Sequence, residues 1–149
     1  LEYDIRKRRK GSVARREFKV RTKVRYSETD QMGVVYYANY LVWFELGRSS
    51  VLDQLGYPYD RLEEHGFILP AVHSEVRYLA SAHYNEEIEI VSWVSGLKNV
   101  SVSFGHRVVR LSDGVLLAEG NTKHAVLSKT HKIIPLPDNL VTALKGTMD

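Results

Sequence analysis

The sequence predicts an α+β fold in which a curved antiparallel sheet of about five long strands wraps around one long helix. Three observations predict it. A strand-length alternation comes early, a single long apolar segment with helical spacing follows, and four long strand-like segments separated by turn residues come after it.

From Glu17 the run EFKVRTKVRY alternates strictly, with Phe18, Val20, Val24 and Tyr26 on one face and Lys19, Arg21, Lys23 and Arg25 on the other. That pattern predicts a half-buried strand. Asn39 has the side chain of an N-cap, and Leu41, Phe44, Val51, Leu52 and Leu55 recur behind it at helical spacing until Gly56 and Pro58 stop the helix. Val42, Trp43 and Leu46 fill its other faces, so the helix is apolar nearly all round and is expected to be wrapped by other elements. Tyr57 to Gly66 reads as a loop with a short helical turn. The strand-like segments are Leu69 to Leu79, Glu86 to Leu97, Val100 to Leu111 and Val115 to Ser128, separated by His83-Tyr84-Asn85, Lys98-Asn99 and Ser112-Asp113-Gly114, and they are expected to form a meander. After the Pro135-Leu136-Pro137 break, Asp138 is placed to cap a final short helix through Leu144.

The 149 residues fit one domain, and 44% hydrophobic with 26% charged residues is ordinary for a globular protein. No apolar run is long enough to cross a bilayer and no secretory signal pattern precedes the domain, so a cytoplasmic location is expected. With no cysteine there is no disulfide, no thiolate metal site and no cysteine nucleophile. The six histidines lack metal-ligand spacing, and neither metal nor other cofactor is expected. Charge is divided unevenly: residues 1–25 hold 11 Lys/Arg against 3 Asp/Glu (+8), whereas residues 26–149 hold 10 against 15 (−5). The basic run Arg6 to Lys10 has no aromatic interleaving and no accompanying nucleic-acid motif, so residues 1–15 read as a solvated basic arm ahead of a domain at 16–149.

The run Tyr26-Ser27-Glu28-Thr29-Asp30-Gln31-Met32-Gly33-Val34-Val35-Tyr36-Tyr37-Ala38-Asn39-Tyr40-Leu41, continued by Phe44-Glu45 and Arg48, resembles the signature of the hotdog-fold 4-hydroxybenzoyl-CoA thioesterase family. Within it the likeness is closest to the YbgC-type acyl-CoA thioesterases, and the order of elements agrees from about Arg16 to Pro137. The resemblance implies a hotdog fold, acyl-CoA as substrate, a catalytic Asp at Asp30 and a backbone N–H at Tyr37 that polarises the thioester carbonyl. Many YbgC-type proteins carry His where this chain has Tyr37, while the 4-hydroxybenzoyl-CoA enzymes carry Tyr. The family also implies a homodimer with sheets joined edge to edge, or a tetramer, with active sites at the interface.

The chemistry is consistent with that resemblance. Thioester hydrolysis needs a base or nucleophile at the carbonyl carbon and donors where the oxyanion develops. A carboxylate at Asp30 beside a helix N-terminus supplies both, Gly33 allowing a tight backbone path and the free amides, including that of Tyr37, directing the positive end of the helix dipole. A turn-forming Asp that caps local amides is the plainer reading of Asp30. Asn39 is placed to cap the helix or touch substrate, and Glu45 to line the acyl pocket, position water or pair with Arg48. Lys98 and Ser101 resemble family positions near the nucleotide end of CoA, where Lys98 would meet phosphate. A noncatalytic acyl-CoA or acyl-carrier-protein binder, or a hotdog hydratase or dehydratase, are the other readings. The latter would want a His beside the helix, and residues 28–48 contain none.

Overall fold

The computed structural model describes residues 14–149. The predicted basic arm therefore lies outside the described residues except at its end, where the Arg15 guanidinium stacks 3.8 Å from the Trp93 ring centroid. The elements are β1 (Phe18–Lys23), a short 3-10 turn (Tyr26–Glu28), α1 (Asn39–Gln54), α2 (Tyr59–Glu64), β2 (Ala71–Tyr78), β3 (Glu87–Lys98), β4 (Ser101–Arg110), β5 (Leu116–Ala125) and α3 (Asp138–Lys145). Among the described residues no helix is long and apolar enough to cross a membrane.

The five strands form one antiparallel sheet in the order β1-β3-β4-β5-β2. The predicted meander is thus correct for β3, β4 and β5 only. β2 pairs with β5 at the far edge rather than with β3, because the segment joining β2 to β3 crosses the helix N-terminus on its way between the two sides of the sheet, with Val35 N–H bonded to Ala82 O at 2.9 Å. Register shifts in β3–β4, β4–β5 and β5–β2 mark bulges that add twist and curl the sheet toward the helix. Strand β1 ends at Lys23, before the predicted Tyr26. There the chain leaves the sheet, Val24 stays buried, and Tyr26 is 77% exposed rather than on the buried face.

Helix α1 lies on the concave face, chiefly against β3 and β1. It buries Tyr40, Trp43, Phe44, Gly47, Val51 and Leu52, while Leu41, Val42 and Leu46 remain 39%, 46% and 41% exposed. The chain's own sheet therefore covers one face of the helix, and the expected all-round wrapping is not achieved. Closest approach falls at Gly47, where an added Cβ would collide with Ser92 Oγ and lie 2.9 Å from Ile90 Cγ2. Two apolar clusters flank this point. One gathers Val24, Val35, Trp43, Phe44, Ile88, Ile90 and Val108 around the helix N-terminal half; the other gathers Phe18, Val51, Leu52, Phe104, Leu140 and Leu144, roofed by α2 and α3. Asp138 opens α3 as its first residue, after Pro137, and makes no side-chain capping bond, contrary to the expected cap.

Candidate active site

The signature loop folds back on itself through short-range backbone bonds. Thr29 and Val35 form an isolated antiparallel bridge. Asp30 N–H donates to Val34 O at 2.9 Å and Gly33 N–H to Asp30 O at 3.0 Å. Gly33 has φ +78° with no atom within 4 Å of where a Cβ would stand, so the turn needs glycine for its dihedral and not to make room for neighbouring protein atoms. Asp30 is half-buried, and its Oδ1 accepts the Met32 N–H at 2.9 Å. The turn-forming role is thus present, and it occupies one carboxylate oxygen. Among the described residues the other has no hydrogen-bond partner.

Immediately downstream, Tyr36 N–H donates to Glu28 O at 2.8 Å, Asn39 N–H to Tyr36 O at 2.9 Å and Leu41 N–H to Ala38 O at 3.2 Å. Among the described residues the N–H groups of Tyr37 and Ala38 have no protein acceptor. These are the open amides expected at the start of a helix, where the macrodipole favours negative charge. Asn39 does not cap α1. Residues before it already turn, Ala38 holds the cap position without a side-chain bond, and the Asn39 amide reaches back to donate to Glu28 O at 2.8 Å.

Beside these amides the signature tyrosines Tyr36, Tyr37 and Tyr40 are joined by Tyr78, which the sequence analysis does not single out. Tyr78, from β2, donates its hydroxyl to Tyr37 O at 3.0 Å, and its ring lies 5.2 Å from that of Tyr40 and 6.4 Å from that of Tyr37. Tyr36 and Tyr37 sit with ring centroids 4.7 Å apart. The Tyr36 phenol is pushed up from its ordinary value, first by the adjacent Tyr37 phenol, then by desolvation and by the charge of Asp30. Burial, above all, raises Tyr40 and Tyr78 as well. A cleft of about 250 Å³ is lined by Val35, Tyr37, Tyr40, Tyr78, Leu79, Ala80 and Ser81. Its far wall is fixed by Arg110, which donates to Ser81 O at 2.7 Å and ion-pairs with Asp113 at 2.8 Å and with Glu86. A larger depression of about 430 Å³, lined by Glu75, Arg77, Trp93 and Asn121 among others, contains none of the signature residues, so volume alone does not locate the site.

The remaining predicted residues lie elsewhere. Glu45 is exposed on α1 beside Leu41 and Leu46, and it forms no ion pair with Arg48. Arg48 turns inward instead, its Nη1 lying 3.2 Å from His124 Nε2. Lys98 and Ser101 face each other across the β3–β4 hairpin, at the opposite end of those strands from Glu87 and Arg110, where the Asp30 loop packs. Ten residues of strand separate the two ends, roughly 30 Å, and the chain does not bring its own Lys98 or Ser101 to Asp30.

Two features escaped the sequence reading. Glu28 is 5% exposed: its Oε2 accepts Trp43 Nε1–H at 2.8 Å and its Oε1 accepts Arg25 N–H at 2.8 Å. Between the two apolar clusters, a buried polar layer links Ser92 Oγ to His106 Nδ1 at 2.8 Å, His106 Nε2 to Thr122 Oγ1 at 3.1 Å, and Thr122 Oγ1 to His124 Nε2 at 3.1 Å. His124 Nδ1 lies 3.1 Å from Leu69 O, so it carries the proton and donates. Burial, with the nearby Arg48 charge, lowers His106 to about 3 and His124 to about 4. Both are neutral at pH 7. The signal was available: Ser92 and His106 fall at inward positions of their strands, between Ile90 and Val94 and between Phe104 and Val108.

Comparison with known proteins agrees with this architecture. Residues 24–144 match the Thioesterase-like superfamily. YneP of Bacillus subtilis, provisionally named an acyl-CoA thioesterase, is 35% identical over 71% of this chain and 76% of its own length. The acyl-CoA thioesterase YbgC of Haemophilus influenzae is 28% identical over 72% of this chain and 79% of its own. The crystal structure of the hypothetical protein TT1821 from Thermus thermophilus superposes with a TM-score of 0.82 at 36% identity, covering 87% of this chain and 98% of that one. With a five-stranded antiparallel sheet curled around one long helix, and with a family match that spans the signature loop, the cleft and all but the first strand of the sheet, the chain belongs to the Thioesterase-like, hotdog-fold superfamily.

Proposed function

We propose that this chain hydrolyses an acyl-CoA thioester to the free acid and CoA. The observation that carries the reading is the pairing of a half-buried carboxylate, Asp30, that keeps one oxygen open, with the open amides of Tyr37 and Ala38 at the start of α1. The thioester carbonyl oxygen accepts from those amides, which oppose the negative charge that grows on it. In one course Asp30 takes a proton from water while the water oxygen bonds to the carbonyl carbon, and collapse of the adduct breaks the C–S bond and expels CoA thiolate. In the other the Asp30 oxygen itself bonds to that carbon, thiolate leaves, and water hydrolyses the mixed anhydride. Neither course needs a metal or a redox cofactor. The names of YneP and YbgC support the acyl-CoA class, and a cytoplasmic location suits such a substrate.

The site is completed by a second copy of the chain. One subunit offers a cleft of about 250 Å³, below the ~300–1,000 Å³ usual for small-molecule sites. Beside it lie the uncovered residues Leu41, Val42 and Leu46 and the edge strand β2, with Val72 58% exposed. Such surfaces favour association, as a homodimer or a tetramer. In this assembly Glu45 borders the acyl channel, and Lys98 and Ser101 reach CoA only at a neighbouring subunit's site.

The test is CoA release, followed with a thiol reagent, over a panel of aromatic, short and long acyl-CoAs. At least one should turn over, and activity should vanish on dilution below the dimer's dissociation constant. Tight acyl-CoA binding without CoA release would establish a binding protein instead. Turnover by a monodisperse monomer would contradict the shared site.

A further inference from the structure

The open carboxylate and the open amides belong to different segments, and their separation is set by whatever ties the loop to the helix. The structure assigns this role to Glu28: we propose that it is the positioning residue of the site, holding α1 against the Asp30 loop through Trp43. The inference rests on the catalytic reading of Asp30 and Tyr37 given above.

Glu28 stands two residues before Asp30 and is tied on both its backbone and its side chain. Its carbonyl oxygen accepts from Tyr36 N–H and from Asn39 Nδ2, each at 2.8 Å. Those two donors bracket Tyr37, so the carbonyl fixes the backbone on either side of the amide that faces substrate. Its carboxylate then reaches one turn further along the helix. Oε2 accepts the Trp43 indole N–H at 2.8 Å, and Oε1 accepts the Arg25 N–H at 2.8 Å, with Arg25 Nε 3.4 Å away. Trp43 is 1% exposed, so its ring cannot shift without repacking Tyr40, 4.9 Å away between ring centroids. A buried carboxylate is costly unless its oxygens are satisfied. Here they are satisfied by Arg25, two residues past β1, through its N–H and guanidinium, and by Trp43 of the helix, which makes Glu28 the joint between β1, the Asp30 loop and α1.

Glutamine is the informative replacement. It keeps the shape, but its amide nitrogen is a donor and must face either Trp43 N–H or Arg25 N–H, so one of the two bonds is lost. Because small displacements of reacting groups are expensive, Glu28→Gln should lower kcat ~10- to 100-fold. The affinity for a nonhydrolysable acyl-CoA thioether should fall by less than kcat, since Tyr78, Leu79, Ala80 and Ser81 line the cleft independently of Glu28. Trp43→Phe removes the other partner and should show a comparable loss. If both act through one bond, the double variant should be no slower than the worse single one.

The experiment measures kcat, thioether affinity and the melting transition of these three variants, at a temperature where each is folded, with Asp30→Asn in parallel. Wild-type protein should also show one indole N–H strongly protected from exchange, absent in Trp43→Phe, and its protection in Glu28→Gln reports which of the two bonds the glutamine keeps. A lowered melting temperature with kcat unchanged in both Glu28→Gln and Trp43→Phe would overturn the positioning role and leave Glu28 as a stabilising contact alone. Should Glu28→Gln fail to fold, Trp43→Phe carries the same decision. Wild-type kcat in Asp30→Asn would instead overturn the reading on which the inference stands, whatever the Glu28 variants show.

Discussion

Toward its C-terminus α1 sinks Val51 and Leu52 into an apolar cluster closed by Leu62, Leu140 and Leu144, whereas at its N-terminus it meets a hydrogen-bonded loop and leaves Tyr36, Tyr37, Leu41 and Val42 exposed. Both halves bury an apolar cluster against one sheet, yet only the proximal half adds a set of directional bonds at its end. The distal half is fixed by apolar burial, which is insensitive to direction. The proximal half adds directional bonds at Glu28, Asp30 and Tyr78 to its apolar cluster, and it sets an open carboxylate oxygen near the open amides that begin the helix. A polar layer of Ser92, His106, Thr122 and His124 divides them. On the proposed function, stability and chemistry separate along a single helix, and the variants below test that separation.

The largest loss of stability belongs to the distal half. Leu52→Ala removes a side chain that is 1% exposed and should cost ~2–5 kcal/mol. Well below its melting temperature, kcat should stay near wild type, as an unfolding titration and an initial-rate assay on the same sample would show. A large fall in kcat in the folded variant would mean that the halves are coupled.

Gly47 lies where the halves meet. Gly47→Ala forces its new Cβ against Ser92 Oγ and Ile90, and overpacking of this kind costs ~1–3 kcal/mol. Relief by rotating Ser92 breaks its bond to His106 and relief by shifting the helix moves its N-terminal amides, so stability should fall, and kcat with it where the helix shifts. Loss of stability alone would show that Ser92 gives way or that the helix rocks about its N-terminal tether.

The polar layer makes the division sensitive to pH. His106 and His124 are held at about 3 and about 4, below the ordinary 6.5, chiefly by burial and then by the charge of Arg48. The unfolded chain therefore binds protons that the folded one refuses. Their contribution is fully present above about pH 6.5 and is lost as pH falls from there through the folded values, by up to about 1.4 kcal/mol per pH unit for each histidine. Urea midpoints at pH 7, 6 and 5 should decline, and His106→Gln, though less stable at pH 7, should decline less steeply. A flat wild-type profile would contradict the buried neutral pair.

At the small end of the scale, Arg21→Ala breaks the Arg21–Glu89 pair on the outer surface, where the arginine side chain is 71% exposed. Such pairs contribute ~0–1 kcal/mol, and neither kcat nor the melting transition should move appreciably. A clear loss in either would show that the sheet's outer face bears on one of the two halves.

These contrasts also explain what could be read from the residues alone. Strands β3, β4 and β5 were placed to within a few residues because alternation and the Lys98-Asn99 and Asp113-Gly114 turns are local signals. The edge position of β2 was not, since alternation says which face a residue occupies and nothing about which strand lies beside it. The signature run points to Asp30 and the amide of Tyr37, and among the described residues the structure leaves one Asp30 oxygen and that N–H without a protein partner. Glu28 lies within that run, but its contacts depend on Trp43, fifteen residues away, and on burial that no periodicity announces. Asn39 was misread as a cap because its residue type suits one, while the turn at Tyr36 to Ala38 had already started the helix. Lys98 and Ser101 were placed by likeness to family positions, and the strand register puts them at the other end of the sheet from Asp30.

The most direct test of the central claim is the hydrolysis rate of Asp30→Asn on the best acyl-CoA of the panel, measured beside its melting transition. Asparagine keeps the side-chain oxygen that accepts the Met32 N–H, so the loop and the fold should survive. The charge and the open oxygen are lost, and kcat should fall at least ~100-fold with KM little changed. A folded Asp30→Asn enzyme that retains near-normal kcat would contradict the assignment of chemistry to the N-terminal end of α1.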